Sequence, residues 1–162
     1  MRIDNNNHKK VAVVGVGNIL LSDEGIGVHV VNKLREARQD DKIPVEIIDG
    51  GTSPGFFWLI EGFDRLILID AVKGGGKPGS IYRFQLEQIV PEEKQIISAH
   101  DLDLMYNLKM MELTGSRPKE VIIIGIEPKE IKTGMELSPE LDNMIPHIIK
   151  IVNEEIDQAS SG

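Results

Sequence analysis

Residues 11–28 read VAVVGVGNILLSDEGIGV, and this stretch decides the fold. The run Val11–Val14 is rich in β-branched residues and two glycines follow it closely, which predicts a buried strand that ends in a tight turn. Asp23 and Glu24 come next, at the predicted start of a helix, where unpaired backbone N–H groups and the helix dipole stabilise negative charge. Glu24 is therefore either an ordinary first-turn acid or a functional carboxylate held at the edge of a sheet.

Beyond this stretch, apolar runs bounded by turn residues predict four more strands, and apolar residues at helical spacing predict helices between most of them. No helix separates the third strand from the fourth. A parallel crossover is impossible there, so the fourth strand is expected to be antiparallel and to lie at an edge of the sheet. The further strands are expected at Val45–Ile48, Leu66–Ile69, Ile81–Phe84 and Val121–Ile124, and the helices at about Asp23–Arg38, Asp101–Gly115 and Pro139–Ile156.

This order of elements predicts an α/β fold, a three-layer α/β/α sandwich with a mostly parallel sheet of about five strands, one of them antiparallel. The length of 162 residues fits a single domain over residues 11–156, with frayed ends at 1–10 and 157–162. In the helix that begins near Asp101, five apolar side chains are expected to face the core: Leu102, Met105, Tyr106, Met110 and Leu113.

The composition excludes several classes of function. The net charge of −8 argues against nucleic-acid binding, which needs clustered Lys and Arg. The absence of cysteine excludes thiolate metal sites, catalytic thiols and disulfides, and fits a cytoplasmic protein. No apolar run approaches the roughly 20 residues that span a bilayer. The first ten residues, MRIDNNNHKK, lack the apolar segment of a signal peptide. We therefore expect a cytoplasmic protein that binds neither nucleic acid nor membranes.

Polar side chains are expected at the carboxyl ends of the strands, where parallel sheets bind ligands. Glu24 follows the first strand, Asp49 follows the second and Asp70 ends the third. His100 is expected on the loop just before a helix that Asp101 caps. Carboxylate and imidazole donors suit divalent metals such as zinc, nickel or manganese, and three such donors with an open position make a catalytic site. Taken singly, each residue is more typical of a turn, a strand end or a helix start, so the pattern leaves both interpretations open.

The segment 15–20, GVGNIL, invites a dinucleotide-binding interpretation, which the neighbouring residues disfavour. Leu20 stands where the third glycine of that fingerprint would allow the helix to pack closely on the strand. Asp23 and Glu24 would also aim carboxylates at a pyrophosphate, which opposes anion binding. We therefore expect no nucleotide cofactor.

Five segments, taken together in their order along the chain, resemble the nickel–iron hydrogenase maturation proteases. The first segment is the most specific, and the others gain weight from their order and spacing. The segments are GVGNILLSDEGIGV at 15–28, DGGT at 49–52, LIDA at 68–71, SAHD at 98–101 and GIEP at 125–128.

The resemblance implies an endopeptidase that removes the C-terminal extension of the hydrogenase large-subunit precursor after nickel has been inserted. It implies that Glu24, Asp70 and His100 are the catalytic, metal-contacting residues, and that the loop Asp49-Gly50-Gly51-Thr52 recognises the substrate. Nickel is expected to arrive with the precursor, and other divalent metals are expected to substitute in vitro. The aromatic segment Phe56–Trp58 and the glycine-rich loop Gly74–Gly79 are candidate contacts of the precursor.

Three other functions remain open from the sequence. The chain could be a non-catalytic nickel-handling or hydrogenase-assembly partner of the same fold, a nucleotide-binding α/β domain, or a general metallopeptidase. Whether Asp23 and Glu127 assist the site is also open.

Overall fold

The computed structural model describes residues 9–39, 44–52, 54–86 and 99–160, and of these it describes 54–56, 99–105 and 160 by their backbone alone. The predicted frayed N-terminus, 1–10, lies outside the described residues apart from Lys9 and Lys10, as do the last two residues. The strands are β1 Val11–Val16, β2 Val45–Gly51, β3 Arg65–Ala71, β4 Ile81–Gln85 and β5 Glu120–Ile126. The helices are α1 Ile26–Ala37, α2 Ala99–Thr114, α3 Pro139–Asp142 and α4 Ile145–Ser160, with 3₁₀ turns at Ser22–Gly25 and Pro54–Leu59.

The five strands form one sheet in the order β2-β1-β3-β5-β4. The pairs β1–β2, β1–β3 and β3–β5 are parallel, and β4 pairs antiparallel with β5 at the edge. This confirms the predicted sheet, including its one antiparallel strand. The chain passes from β1 outward to β2 and then returns across β1 to β3. The strand order therefore reverses between β1 and β3, which is where open α/β sheets bind ligands.

Apolar side chains cover both faces of the sheet, because the buried strands point alternate residues to opposite sides. One face packs against α1 and α4 through Val13, Ile67 and Ile124 of the strands, and the other packs against α2 and the Pro54–Leu59 turn through Val14, Leu68 and Ile123. This confirms the predicted three-layer sandwich. No helix within the described residues is long and apolar enough to cross a lipid bilayer.

The C-terminal helical region differs from its predicted bounds. The single predicted helix is divided into α3 and α4, and α4 continues to Ser160 rather than ending near Ile156. The extra turn packs onto the core, because the side chain of Ala159 is only 1% exposed. The five residues predicted to face the core in this region are all buried: Leu141, Ile145, Ile148, Val152 and Ile156.

The helix α2 differs from prediction in its start and in its buried face. It begins at Ala99, so Asp101 is not its N-cap and His100 lies inside the first turn rather than before it. Among the described side chains of α2, Leu108 faces the core and is 2% exposed, and Met111 packs against the same cluster. Of the five residues predicted to face the core, Tyr106, Met110 and Leu113 are exposed, and the side chains of Leu102 and Met105 lie outside the described residues.

A buried ion pair connects α4 to the sheet. The carboxylate of Glu155 is almost fully buried and accepts hydrogen bonds from Arg83 and from Nη2 of Arg65, the latter at 3.0 Å. Nη1 of Arg65 also donates to the backbone carbonyl oxygen of Glu155 at 3.1 Å. Hydrogen bonding to this carboxylate raises the pKa of Arg83, although partial burial of the guanidinium opposes the shift. The pair therefore fixes the position of α4 across β3 and β4.

We expect Glu155→Gln to lower the free energy of unfolding by about 2 kcal/mol, because breaking a buried pair leaves two cations with a weaker acceptor. Urea unfolding monitored by circular dichroism measures this change. The matched control is Glu154→Gln, since Glu154 is the exposed neighbour on the same helix and its loss should cost less than about 0.5 kcal/mol. Equal effects of the two substitutions would contradict the prediction.

Candidate functional site

Glycines allow the segment that follows β1 to lie directly on the ends of the strands. A Cβ atom on Gly27 would lie 2.2 Å from the carbonyl oxygen of Ile69 in β3. One on Gly17, whose φ is +136°, would lie 2.0 Å from the carbonyl oxygen of Glu24. No side chain fits at either position, so the Ser22–Gly25 turn is held against the carboxyl ends of β1 and β3.

Two of the predicted site carboxylates lie at this edge of the sheet. Asp70 is the second-last residue of β3, is 2% exposed, and accepts a hydrogen bond at Oδ1 from the backbone N–H of Ala71 at 2.8 Å. Glu24 lies half-buried in the turn after β1, the strand next to β3. Both residues therefore flank the point where the strand order reverses.

The third predicted residue, His100, is the second residue of α2, and its side chain lies outside the described residues. Among the side chains that the structure describes, no three His, Cys, Asp or Glu residues form a group that could hold a metal ion. The predicted set requires His100, so the meeting of Glu24, Asp70 and His100 around one ion stays a prediction.

The loop Asp49–Thr52 borders the same edge at the end of β2. Asp49 is exposed, and its Oδ1 accepts a hydrogen bond from the N–H of Gly51 at 3.0 Å, as expected for an aspartate that shapes a turn. Gly51 has a φ of +50°, and its carbonyl oxygen accepts a hydrogen bond from the N–H of Gly17 at 2.9 Å. Gly50 is buried and Thr52 is exposed. The loop is thus joined to the segment that carries Glu24.

Asp23 has a role that the sequence does not reveal. Its side chain is fully buried and accepts hydrogen bonds from the N–H groups of Lys129 and Glu130, both at 2.9 Å. It also accepts bonds from the N–H and the hydroxyl of Ser138, at 2.7 and 2.8 Å. These donors lie at the two ends of the β5–α3 loop, residues 127–138. Asp23 therefore joins both ends of that loop to the turn that carries Glu24.

The environment of Asp23 keeps its carboxylate ionised. Burial by itself raises the pKa of this carboxyl group, but the hydrogen bonds from Glu130, Ser138 and Lys129 outweigh burial and lower the pKa below its usual value. A sequence pattern cannot identify these partners, because they are more than 100 residues away along the chain.

Glu127, at the end of β5, holds the glycine-rich loop beside the site. Its Oε2 accepts hydrogen bonds from the N–H of Gly74 at 2.6 Å and from the hydroxyl of Tyr82 at 2.8 Å. The Tyr82 oxygen in turn accepts a bond from the N–H of Gly76 at 3.0 Å. Partial burial and the hydrogen bond to Glu127 raise the pKa of Tyr82. Glu127 therefore has a structural role next to Asp70.

We expect Tyr82→Phe to lower the free energy of unfolding by about 1 kcal/mol near neutral pH, because the hydroxyl loses its bond to the Glu127 carboxylate and its bond from the N–H of Gly76 in the loop. The folded protein keeps the Tyr82 proton above the unfolded pKa of 10.0, so this contribution is present below pH 10.0 and is lost as the pH rises through the raised pKa. Urea unfolding at several pH values measures it. A wild-type advantage that does not shrink above pH 10.0 would contradict the prediction.

Exposed apolar side chains occur on the loop that leads to Glu24, on the β5–α3 loop and on the turn that follows β2. Leu20 and Met135 are 55% and 63% exposed, and their loops are joined where the N–H of Gly134 donates to the carbonyl oxygen of Leu20 at 2.9 Å. In the predicted aromatic contact segment, Trp58 is 83% exposed whereas Phe57 packs in the core. The side chain of Phe56 lies outside the described residues.

Comparison with known proteins finds a family model and several relatives that agree with one another. A family model described as hydrogenase maturation protease matches residues 28–155. The hydrogenase 2 maturation protease of Escherichia coli is 37% identical over 139 residues, which cover 84% of this chain and 84% of that protein. The coenzyme F420 hydrogenase subunit delta of Methanothermobacter thermautotrophicus is 31% identical over 155 residues, which cover 91% of this chain and 94% of that protein.

A solved structure agrees with the sequence relatives. The hydrogenase-maturating endopeptidase HybD from Escherichia coli matches with a TM-score of 0.80 and 31% sequence identity, and the match covers 93% of each chain. The similarity therefore extends over nearly the whole of both chains.

Proposed function

This chain belongs to the hydrogenase maturation protease family and is a peptidase, and we propose that it removes the C-terminal extension of a nickel–iron hydrogenase large-subunit precursor after nickel insertion. One observation carries the proposal. Glu24 and Asp70 flank the reversal of strand order in a chain of this family. The proposal assigns Glu24, Asp70 and His100 the contacts to nickel.

The donor chemistry of these residues suits a nickel ion that belongs to the substrate. Carboxylate oxygens and an imidazole nitrogen bind divalent first-row metals, and three ligands leave positions open for the precursor's own groups. When bound, such an ion supplies Lewis acidity at the peptide carbonyl that is to be cleaved. We propose that the resting protein binds nickel weakly and that the precursor delivers it, and that other divalent metals substitute in vitro.

The chain's own residues have separate tasks in this proposal. Asp70 is buried and fixed at the end of β3, so it offers a carboxylate with little freedom to move. Glu24 is half-buried, so part of the residue remains accessible to a substrate. The loop Asp49–Thr52 is exposed at Asp49 and Thr52 and is hydrogen-bonded to the segment that leads to Glu24, which supports a role in recognising the segment around the cleavage point.

Three exposed apolar side chains support contact with a protein substrate rather than with a small molecule. Leu20, Met135 and Trp58 are each more than half exposed, and exposed apolar groups near a site are typical of surfaces that bind a protein. Contact of the precursor with these side chains and with the loop Gly74–Gly79 belongs to the same proposal.

The test compares precursor loaded with nickel and precursor free of nickel, each mixed with the purified protein and followed by gel electrophoresis and mass spectrometry. We expect cleavage of the loaded precursor alone, because the free precursor lacks the ion that would occupy the site. Equal cleavage of both forms would rule out the dependence on nickel.

The same assay separates the alternatives. A general metallopeptidase would also cut unrelated denatured proteins, which serve as the control substrates. A non-catalytic assembly partner of the same fold would bind the loaded precursor without shortening it. The hydrogenase subunit delta among the relatives makes this second outcome worth measuring, by co-purification with the uncut precursor.

A further inference from the structure

We propose that Asp23 is a positioning residue for the peptidase reaction, because it holds the turn that carries Glu24 in a fixed relation to the β5–α3 loop. The inference rests on the proposed function, since it concerns the placement of Glu24 at the reacting site. Asp23 itself is fully buried, so it acts through its neighbour rather than on the substrate.

The turn Ser22–Gly25 is held from one side by the β5–α3 loop. The N–H of Asp23 donates to the carbonyl oxygen of Glu130 at 3.2 Å, and the N–H of Ser22 donates to that of Gly134 at 2.8 Å. The hydroxyl of Ser22 donates to the carbonyl oxygen of Glu136 at 2.7 Å. With the four bonds accepted by the Asp23 carboxylate, the loop encloses the turn.

The turn has little support of its own. It is a single 3₁₀ turn of four residues, and its N-cap residue, Leu21, makes no side-chain capping bond. Ser22 adopts a φ of +52°, a backbone conformation that costs a non-glycine residue free energy and persists only where surrounding contacts impose it. The contacts to the loop therefore determine the shape of this turn.

The loop depends on Asp23 in return. Ser138 stands at the N-cap of α3, and its hydroxyl makes no capping bond to that helix but donates to Asp23. All four partners of the carboxylate are donors, so only an acceptor with two free oxygens satisfies them. The side-chain amide of an asparagine at position 23 would instead point its own N–H groups at some of these donors. One carboxylate thus orders both the turn and the loop.

The placement of Glu24 is sensitive to this arrangement. Contacts of Gly17 and Gly27 with neighbouring backbone fix the turn against the strands, and Asp23 fixes it on the other side. A displacement of a reacting group by about 1 Å costs a factor of roughly 100 in rate. Loosening the Asp23 contacts should therefore slow the chemical step more than it weakens substrate binding.

The experiment compares Asp23→Asn with Glu155→Gln, a matched loss of a buried, hydrogen-bonded carboxylate at another part of the sheet. Cleavage of nickel-loaded precursor is measured at a temperature at which circular dichroism shows each variant to be folded. We expect kcat of Asp23→Asn to fall between about 10-fold and about 100-fold with KM within about 3-fold of wild type. Glu155→Gln should keep the wild-type kcat.

Amide hydrogen exchange supplies a readout that does not depend on cleavage. In Asp23→Asn, exchange should accelerate at Glu24, Gly134 and Ser138 while the amides of β3 keep their protection. A milder variant, Ser138→Ala, removes one donor and should show the same exchange pattern with a kcat reduction of about 3-fold. It keeps the test decisive if Asp23→Asn does not fold.

The outcomes are distinguishable. If the wild-type protein does not shorten the loaded precursor, the proposed function fails, and unchanged exchange at Glu24 would separately overturn the positioning role. If the wild-type protein cleaves but Asp23→Asn and Ser138→Ala retain the wild-type kcat, Asp23 only stabilises the fold and the inference is wrong.

Discussion

Replacing Gly27 with alanine should prevent the protein from folding stably, with a loss of about 4 kcal/mol or more in the free energy of unfolding. The added Cβ would lie 2.2 Å from the carbonyl oxygen of Ile69 and 2.6 Å from that of Val16. Both atoms belong to backbone of the central strands, which cannot move aside as a flexible side chain would. The start of α1 would have to leave the sheet, and the turn that carries Glu24 would move with it.

Urea unfolding and the yield of soluble protein measure this effect. The control is Gly115→Ala, because Gly115 has a φ of +74° but no atoms near its Cβ position. That substitution should cost about 1 kcal/mol from backbone strain alone. The explanation by close packing would be wrong if the two variants had the same stability.

Replacing Asp70 with asparagine should reduce cleavage of the nickel-loaded precursor at least about 100-fold while the fold stays intact. Asparagine has nearly the same shape and keeps the acceptor oxygen for the N–H of Ala71, so unfolding should change by less than about 1 kcal/mol. It loses the negative charge and one acceptor oxygen, and these are the properties that the proposed contact to nickel requires.

The matched control is Glu36→Gln, which removes a carboxylate from the exposed side of α1. It should leave both cleavage and stability at wild-type values. Binding of the uncut precursor is measured in parallel by co-purification and should persist in Asp70→Asn, because the exposed apolar side chains proposed to contact the precursor, Leu20, Met135 and Trp58, are unchanged. Wild-type cleavage by Asp70→Asn would contradict the assignment of Asp70.

The architecture of the sheet is predictable because its strands are continuous apolar runs. Val11–Val14, Leu66–Ile69 and Val121–Ile124 are buried on both faces, so composition and length alone locate them. The antiparallel strand β4 follows from the absence of a helix before it. The observed strands extend these predictions by one to three residues.

The helix α2 shows where periodicity is uninformative. In the segment LMYNLKMMEL, residues 104–113, apolar residues are spread around the whole circumference of the helix. Several choices of the buried face therefore fit the sequence equally well. Packing against the sheet selects Leu108 and leaves Tyr106 and Leu113 exposed. Asp101 resembles an N-cap as much as a first-turn acid, so the sequence predicts a helix start near Asp101, whereas α2 begins at Ala99.

The candidate site is predictable only in part, because the packing of distant segments decides its details, as it decides the buried face of α2. Glu24 and Asp70 follow buried strands directly, so the topology of the sheet brings them to one edge. The contacts that hold them there involve backbone atoms of distant segments, as with Gly27 against Ile69 and Asp23 against Ser138. Such contacts depend on the complete tertiary structure and have no local sequence signal.

The long separation between Asp23 and its donors has a consequence for synthesis of the protein. The backbone donors at Lys129 and Glu130 and both donors of Ser138 follow Asp23 by 106 to 115 residues. A nascent chain on the ribosome therefore exposes the turn with Glu24 long before the segment that encloses it has been translated. If Asp23 positions Glu24 as we propose, we expect proteolytic competence only after most of the polypeptide has emerged, so that an incomplete translation product is inert.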